Sequence, residues 1–172
     1  DFQEKLLDYL QRYDVIGVAG TTQLVSGLWS AAGPPHIYGQ IAHEQEGQLI
    51  ISIFSAPCRV QESIQALDGL FIAARTDVAR AIGFDEQRFT AFHMYDSDFT
   101  FRAFLAGYKL AVCNDICLIH QSRGRVDEQY IRDLKSFEEK HRAKLAPNLN
   151  RQFVVCEVLA KTGRTGGGSR KR

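Results

Sequence analysis

Five consecutive apolar residues near the start of the chain, Val15-Ile16-Gly17-Val18-Ala19, leave no polar face to meet water. A short, fully apolar run with β-branched residues is typical of a strand buried inside a sheet. The segment before it differs, because its apolar residues Phe2, Leu6, Leu7 and Leu10 recur at helical spacing. The chain is therefore predicted to begin with an amphipathic helix that leads into an interior strand.

Strands and helices alternate along the rest of the chain. Gly47 lies in a turn that joins two strand-like segments, 40–43 and 48–54, into a predicted hairpin. Residues 20–35 are predicted to form a long loop around the single Trp29. Because the two kinds of element are interspersed, the sequence predicts an α/β or α+β fold with a mixed sheet. Further strands are predicted at 70–74, 108–112, 116–119 and 153–159, and helices at 76–83, 96–106 and 126–145.

The charge balance excludes partners held by a bulk electrostatic field. Lys and Arg number 21 and Asp and Glu 20, for a net charge of +1, which does not favour nucleic acid or a membrane surface as the partner.

No apolar run is long enough to span a bilayer, and the first residues lack the pattern of a signal peptide. Four cysteines are too few for a disulfide scaffold. We therefore expect a soluble, cytoplasmic protein.

The length and composition suit one compact domain. The chain has 172 residues, of which 45% are hydrophobic. We interpret residues 1–160 as a single domain and the Gly-rich, basic residues 161–172 as a disordered tail. Without the four basic residues of 164–172, residues 1–163 carry a net charge of −3. Residue 1 is Asp rather than Met, so we expect further sequence upstream.

The densest acidic feature is Tyr95-Asp96-Ser97-Asp98, at the start of a predicted helix. Either carboxylate can cap the helix, because it accepts hydrogen bonds from free N–H groups and favours the positive end of the dipole. A carboxylate held rigidly at a helix start can also take a proton from a hydroxyl or hold a metal ion. Both interpretations remain open from the residues alone.

Cys113, Cys117 and His120 form a C-x3-C-x2-H pattern that could bind zinc. No second Cys and His pair at finger spacing completes a set of four ligands, so buried structural cysteines are the favoured interpretation. His120 is predicted at a strand end, where a neutral imidazole could bind a metal or contact a phosphate.

Asp68-Gly69 precedes the predicted strand at 70–74. Asp68 could be a turn residue, or it could accept a hydrogen bond from a substrate hydroxyl. The sequence contains no G-x-G-x-x-G, Walker lysine motif, serine nucleophile elbow or H-E-x-x-H. Several large enzyme classes are excluded by these absences.

The order of motifs between residues 67 and 120 resembles the acceptor half of an inverting GT-A glycosyltransferase. A small-residue strand, a GFDE turn, an acidic helix start with a following Arg, a GY helix end and a strand-end His come in the same order. Residues 14–20, with Trp29 soon after, narrow the resemblance to a StrF-like branch. The segments that carry it are Leu67 to Arg75, Ile82 to Glu86, Tyr95 to Arg102, Ala106 to Lys109 and His120.

The resemblance implies a role for each matched residue. Asp96 would be the general base that deprotonates the acceptor hydroxyl, with Tyr95 in place of the motif's Glu. Asp98 would orient the site or hold Arg102, and both would belong to the substrate-binding residues. His120 would help to bind the metal or the diphosphate. Substrate contacts are also implied for Asp68, Gly69 and Trp29.

The same resemblance implies an α/β GT-A fold, with a mixed sheet flanked by helices, of which residues 1–160 would be the later part. The nucleotide-binding part would lie upstream, so we expect no micromolar affinity for a nucleotide sugar.

The cofactor implied by the resemblance would be a divalent cation, Mn²⁺ or Mg²⁺, which neutralises a diphosphate leaving group. The partners would be a nucleotide-sugar donor and a saccharide or small-molecule acceptor in bacterial polysaccharide or secondary-metabolite synthesis, with a homo-oligomer as a further expectation. Two alternatives remain, a non-catalytic saccharide-binding domain and a small zinc protein.

Overall fold

The structure is a computed structural model that describes residues 1–55, 58–121 and 126–148 and the backbone of 156–160. The predicted tail at 161–172 lies outside the described residues. The described helices are α1 (Phe2–Arg12), α2 (Thr76–Ile82), α3 (Tyr95–Leu105) and α4 (Glu128–His141), with a 3-10 turn at Trp29–Ala32. The described strands are β1 (Val15–Gly17), β2 (Ala19–Thr21), β3 (Ile37–Gln45), β4 (Gln48–Ile53), β5 (Val60–Gln61), β6 (Ala66–Leu67), β7 (Ile72–Ala74), β8 (Leu110–Cys113) and β9 (Cys156–Ala160).

The strands form two sheets. The first sheet has the order β5-β8-β1-β7, in which β1 runs parallel to β8 and antiparallel to β7. The second sheet has the order β6-β2-β3-β4-β9, and all of its pairs are antiparallel. The predicted α/β class with a mixed sheet is therefore confirmed.

Helices cover both faces of the first sheet. On one face, α1 places Tyr9 and Tyr13 against Ile16 and Ala111. On the other face, Phe99 and other residues of α3 pack against Val15 and its neighbours on β8. Alternate residues of β1 thus enter different cores, which explains why the strand has no polar face.

The apolar run at 15–19 is not one strand, so that prediction is wrong. β1 ends at Gly17 in the first sheet, and β2 begins at Ala19 in the second. A Cβ on Gly17 would lie 2.9 Å from the Leu67 side chain, so the missing side chain lets the two layers meet at the crossing. All five residues of the run are buried, both those in the first sheet and those in the second. The burial pattern therefore could not predict that the chain changes sheet here.

Turn chemistry explains which local predictions hold. The hairpin of β3 and β4 is confirmed, and Glu46 and Gly47 in its turn both have positive φ, 53° and 73°.

The strand predicted at 116–119 is wrong, because the chain turns after β8 and only Ile119 makes a bridge, to Ala42. Of the strand predicted at 153–159, residues 153–155 lie outside the described part, and β9 runs one residue further.

The loop before β7 returns the chain from the second sheet to the first. β6 pairs with β2, and the backbone N–H of Asp68 donates to the carbonyl of Ala19 at 2.9 Å. A few residues later Ile72 pairs with Gly17 at the carboxyl end of β1. The segment 68–71 therefore lies where the two sheets meet, at the strand edge where α/β proteins commonly bind ligands.

Candidate active site

Asp68 sits in a tight turn and also faces a tryptophan. Its Oδ1 accepts a hydrogen bond from the backbone N–H of Leu70 at 2.8 Å, which matches the predicted turn role. Its Oδ2 accepts a hydrogen bond from the indole Nε1 of Trp29. Trp29 is buried and packs edge-on against Phe54 at 5.1 Å. The structure thus brings together two of the residues predicted to contact substrate.

Asp96 lies in the first turn of α3 and reaches the same turn. Its Oδ2 accepts a hydrogen bond from the backbone N–H of Gly69 at 2.7 Å. A Cβ built on Gly69 would lie 2.6 Å from that oxygen and 2.9 Å from the Asp96 Cγ. Only glycine leaves room for this contact. We call Asp68, Gly69, Asp96 and Trp29 the carboxylate site.

Two hydroxyl groups hold α3 against the carboxylate site. Thr100 Oγ1 donates to the Asp96 carbonyl at 2.7 Å and accepts from the Leu67 N–H at 3.2 Å. Ser97 Oγ donates to the Gly27 carbonyl at 2.7 Å in a buried position. The Asp96 backbone is therefore tied both to β6 and to the loop that carries Trp29.

The surroundings of Asp96 disfavour its charged form. Burial raises the pKa of Asp96, and the nearby Asp68 charge raises it further, while the N–H groups of Ser97 and Gly69 oppose the shift. A carboxylate with a raised pKa is a stronger base than an ordinary aspartate. Asp96 can therefore accept a proton from a bound hydroxyl, with its position fixed by Gly69.

Asp98 occupies a different place, inside the protein. Its side chain is fully buried, with Arg102 Nε 2.7 Å from Oδ2, and Lys140 Nζ and His141 Nε2 at 2.6 and 2.8 Å from Oδ1. Burial by itself would raise the pKa of Asp98, but hydrogen bonds from His141, Lys140 and Arg102 lower it to about 2. We call these four residues the Asp98 cluster.

Arg102 extends the Asp98 cluster to the end of α2. Its Nη1 and Nη2 donate to the carbonyls of Ile82 and Gly83 at 2.5 and 2.6 Å. The predicted contact between Asp98 and Arg102 is present. A direct substrate contact by Asp98 is not, since its side chain has no exposed surface and three partners occupy its oxygens.

His120 lies beside a second histidine. Its ring is 5.5 Å from that of His43, and His43 Nδ1 is 3.1 Å from the His120 carbonyl oxygen. The backbone N–H of His120 donates to the Ala42 carbonyl at 2.7 Å. His120 thus follows the single bridged residue, Ile119, which pairs with Ala42 of β3.

The cysteine pattern does not assemble a zinc site. Cys113 is buried against α1, and burial raises the pKa of its thiol to about 12, whereas Cys117 is exposed. Thiolate is the form that binds zinc. Across residues 1–55, 58–121 and 126–148, no three His, Cys, Asp or Glu side chains lie close enough to hold a metal ion.

Residues 1–143 match the sequence model of a glycosyltransferase-like family. This match covers more than four fifths of the chain. The chain belongs to this glycosyltransferase-like family. No curated protein and no solved structure matches it.

Every predicted site residue of this family member lies inside the matched segment, from Trp29 to His120. Family membership indicates an enzyme that handles a sugar donor and an acceptor. In the described part of the chain, none of the helices is long and apolar enough to cross a membrane.

Sequence reasoning missed the contribution of α4 to this family member's site. Burial raises the pKa of Tyr130 on α4, and the negative charges of Asp96 and Glu138 raise it further. Its ring packs edge-on against His93 at 5.3 Å. The sequence placed Tyr130 only on the helix predicted at 126–145, and helical spacing does not show which part of the protein that residue faces.

Gly69→Ala tests the fit between the turn and Asp96. The new methyl group would overlap the Asp96 side chain, so we expect the free energy of unfolding to fall by about 1–3 kcal/mol. Urea unfolding measures the change. In an Asp96→Gly background the same substitution should cost less, because the overlapping atoms are gone. Equal costs in both backgrounds would contradict the proposed contact.

Proposed function

We propose that this protein transfers a glycosyl group from a nucleotide sugar to a hydroxyl of a saccharide or small molecule, with inversion at the anomeric carbon. Asp96 would be the general base. The observation that supports this most is the position of the Asp96 carboxylate, which accepts a hydrogen bond from the Gly69 N–H at 2.7 Å. Burial and the nearby Asp68 charge raise the pKa of this carboxylate. A base of this kind suits a hydroxyl that must lose its proton as it attacks.

The proposed step is a single displacement. The acceptor oxygen forms a bond to the anomeric carbon as its proton passes to an Asp96 oxygen. The bond between that carbon and the diphosphate oxygen breaks, and its electron pair leaves with the nucleoside diphosphate. The proton on Asp96 later passes to solvent, which restores the base.

The other residues would position the reactants. Asp68 has oxygens oriented by the Leu70 N–H and the Trp29 indole, so it can accept from a sugar hydroxyl in a fixed direction. Gly69 keeps the Asp96 carboxylate in place. Asp98 and Arg102 would act at a distance, because the Asp98 cluster ties α3 to α2 and α4.

The metal ion stays a prediction from the family resemblance. His120 has one histidine neighbour, and the described residues bring no set of three ligands together, so the fit to a protein-held cation is incomplete. The StrF-like branch and the assignment of 1–160 to the later part of a GT-A domain also belong to this proposal, supported by the order of the motifs.

A transfer assay tests the proposal. The chain would be mixed with millimolar UDP-, GDP-, dTDP- or CDP-sugars and a panel of saccharides, with and without Mn²⁺. Proton NMR would follow the configuration of the product. A product of inverted configuration is expected. A product of retained configuration would contradict the role of Asp96, and saccharide binding with no transfer would support a non-catalytic saccharide-binding domain instead.

Nucleotide binding is expected to be weak if the donor-binding part is supplied elsewhere. At 0.1 mM, we expect UDP, GDP, dTDP and CDP to leave the melting temperature within about 1 °C of the free protein. Differential scanning fluorimetry with and without Mn²⁺ measures this. Stabilisation by one nucleotide, indicating micromolar affinity, would overturn the assignment to an acceptor-binding part and would identify the donor class.

A further inference from the structure

We propose that Phe84, Phe92 and Tyr95 form an aromatic platform that binds the ring face of a neutral saccharide acceptor next to Asp96. This inference rests on the proposed glycosyl transfer and specifies the acceptor class. The three residues are separated in sequence but meet on one surface, where the loop between α2 and α3 returns to the helix start.

Tyr95 is the centre of the aromatic platform. The Phe84 ring lies 5.9 Å from the Tyr95 ring at 72°, and the Phe92 ring lies 6.1 Å from it at 64°. Both phenylalanines are exposed, Phe84 by 57% and Phe92 by 74%. Two large exposed rings grouped around a third form an apolar patch, and such patches mark binding surfaces more often than single exposed residues do.

The loop that carries the aromatic platform is held in place. Asp85, next to Phe84, lies 2.7 Å from Lys140 of the Asp98 cluster. Arg88 Nη1 lies 3.1 Å from the Ser136 carbonyl on α4. The Phe84 ring also packs against the buried Phe99 ring at 5.1 Å. The Phe84 side of the aromatic platform is therefore fixed and loses little conformational entropy when a ligand binds.

The aromatic platform is continuous with the carboxylate site. Tyr95 immediately precedes Asp96 on α3. Burial raises the pKa of Tyr95, and the charges of Asp96 and Asp68 raise it further, so its hydroxyl lies within electrostatic reach of both carboxylates. A ligand on the aromatic platform would therefore have hydroxyl groups close to the proposed base.

The chemistry of this surface favours a neutral sugar ring. Aromatic faces carry partial negative charge and attract weakly positive C–H groups, which a pyranose presents on its flatter face. The hydroxyls at the ring edge can then bond to Asp68 and to the Tyr95 hydroxyl. An anionic ligand such as a phosphate would be repelled by Asp68 and Asp96, so we assign the surface to the acceptor and not to the donor.

Saturation-transfer NMR with neutral trisaccharides tests this assignment. The probes are maltotriose, cellotriose, mannotriose and the trimer of N-acetylglucosamine. We expect at least one to receive saturation, most strongly at its ring C–H protons. Phe92→Ala should raise the Kd of that probe about tenfold, as for an aromatic contact at the centre of an interface. Phe92→Tyr should leave the Kd within about twofold, because it keeps the ring.

Phe2→Ala is the matched control. Phe2 is 49% exposed and packs edge-on against Phe71 at 6.0 Å, but it lies on α1. Its substitution should not change the Kd. Absence of saturation transfer to all four probes would overturn the assignment, as would equal Kd values for Phe92→Ala and the original protein. A dimer, detected by sedimentation and dissociated by Phe92→Ala, would show that a second copy occupies the surface and would also overturn it.

Asp96→Asn separates this inference from the proposed function. If both hold, the Asp96→Asn protein binds the trisaccharide with a Kd within about twofold of the original and transfers sugar about 10²- to 10⁴-fold more slowly. If the original protein binds the trisaccharide through Phe92 but transfers from no donor, the aromatic platform stands and the glycosyltransferase mechanism fails. If transfer occurs but Phe92→Ala leaves both the Kd and the KM for the acceptor unchanged, the mechanism stands and the aromatic platform fails.

Discussion

Replacing Asp96 by asparagine is expected to lower kcat for glycosyl transfer by about 10²- to 10⁴-fold. Asparagine has nearly the same shape, and its side-chain oxygen can still accept from the Gly69 N–H, which lies 2.7 Å from Oδ2 in the original protein. It cannot take the proton of the acceptor hydroxyl. The loss should therefore fall on kcat, with the acceptor KM changed little.

The stability of the Asp96→Asn protein distinguishes a base from a structural carboxylate. The pKa of Asp96 is raised in the folded state, so the protonated carboxyl group stabilises the fold at low pH, and this contribution is lost as the pH rises through that pKa. At neutral pH the ionised form therefore lowers the free energy of unfolding. Asparagine removes that charge. We expect a melting temperature at pH 7 that is unchanged or higher.

The pH profile gives a second readout for Asp96. The base must be ionised, so kcat/KM of the original protein should fall as the pH drops through the raised pKa, above the usual aspartate value of about 4. Asp8→Asn, an exposed substitution on α1, is the control and should keep this profile. An active Asp96→Asn protein with an unchanged acidic limb would exclude Asp96 as the base.

Replacing Asp98 by asparagine is expected to lower the free energy of unfolding at pH 7 by about 3–5 kcal/mol. The fully buried carboxylate lies 2.7 Å from Arg102 Nε and 2.6 Å from Lys140 Nζ. Its removal leaves two cations close together without their shared counter-charge. Removing one partner from a buried ionic cluster lowers the free energy of unfolding by a large amount. The intact cluster adds far less than this amount when it is compared with an apolar replacement of the whole cluster.

The pH dependence of unfolding checks that the charge is responsible. The pKa of Asp98 is lowered to about 2 in the folded protein, so its ionised form stabilises the fold above about pH 4. That contribution disappears as the pH falls from about 4 towards about 2. The Asp98→Asn protein should lack this part of the acid-induced loss, as measured by urea unfolding between pH 7 and pH 3.

A surface substitution provides the control for the Asp98 cluster. Asp77 pairs with Arg75 at 3.1 Å, and both side chains are exposed. Asp77→Asn should change the unfolding midpoint little, since exposed ion pairs contribute little to stability. An equally small effect for Asp98→Asn would mean that the buried carboxylate does not hold α2, α3 and α4 together.

Local chemistry made several parts of the fold predictable. The turn at Glu46 and Gly47 needs two residues of positive φ. A polar segment that ends in glycine is typical of such a turn, so the sequence predicts the hairpin. The split of residues 15–19 into β1 and β2 could not be predicted in this way. Every side chain there is buried whichever sheet it joins, so the hydrophobic pattern is the same for one strand or two.

The candidate site was predictable in its members but not in its contacts. The resemblance placed Asp68 and Asp96 near substrate, yet Asp96 reaches the Asp68 turn through the Gly69 N–H, 27 positions away in the chain. The Asp98 cluster depends on Lys140 and His141, and the sequence placed both only on the helix predicted at 126–145. Contacts of this kind depend on how α4 packs, which helical spacing alone does not specify.

The crossing at Val18 has a consequence for engineering by exchange of segments. The chain leaves the first sheet there and comes back through residues 68–71, so the turn that holds Asp68 and Gly69 lies between the two sheets. Trp29 follows β2 of the second sheet, whereas α3 packs Phe99 against the first sheet and contacts β6 of the second through the hydrogen bond from the Leu67 N–H to Thr100. A chimera that takes one sheet from a relative would therefore pack α3, which carries Asp96, against a foreign sheet on one side. The smallest transplantable unit is the pair of sheets together with α3.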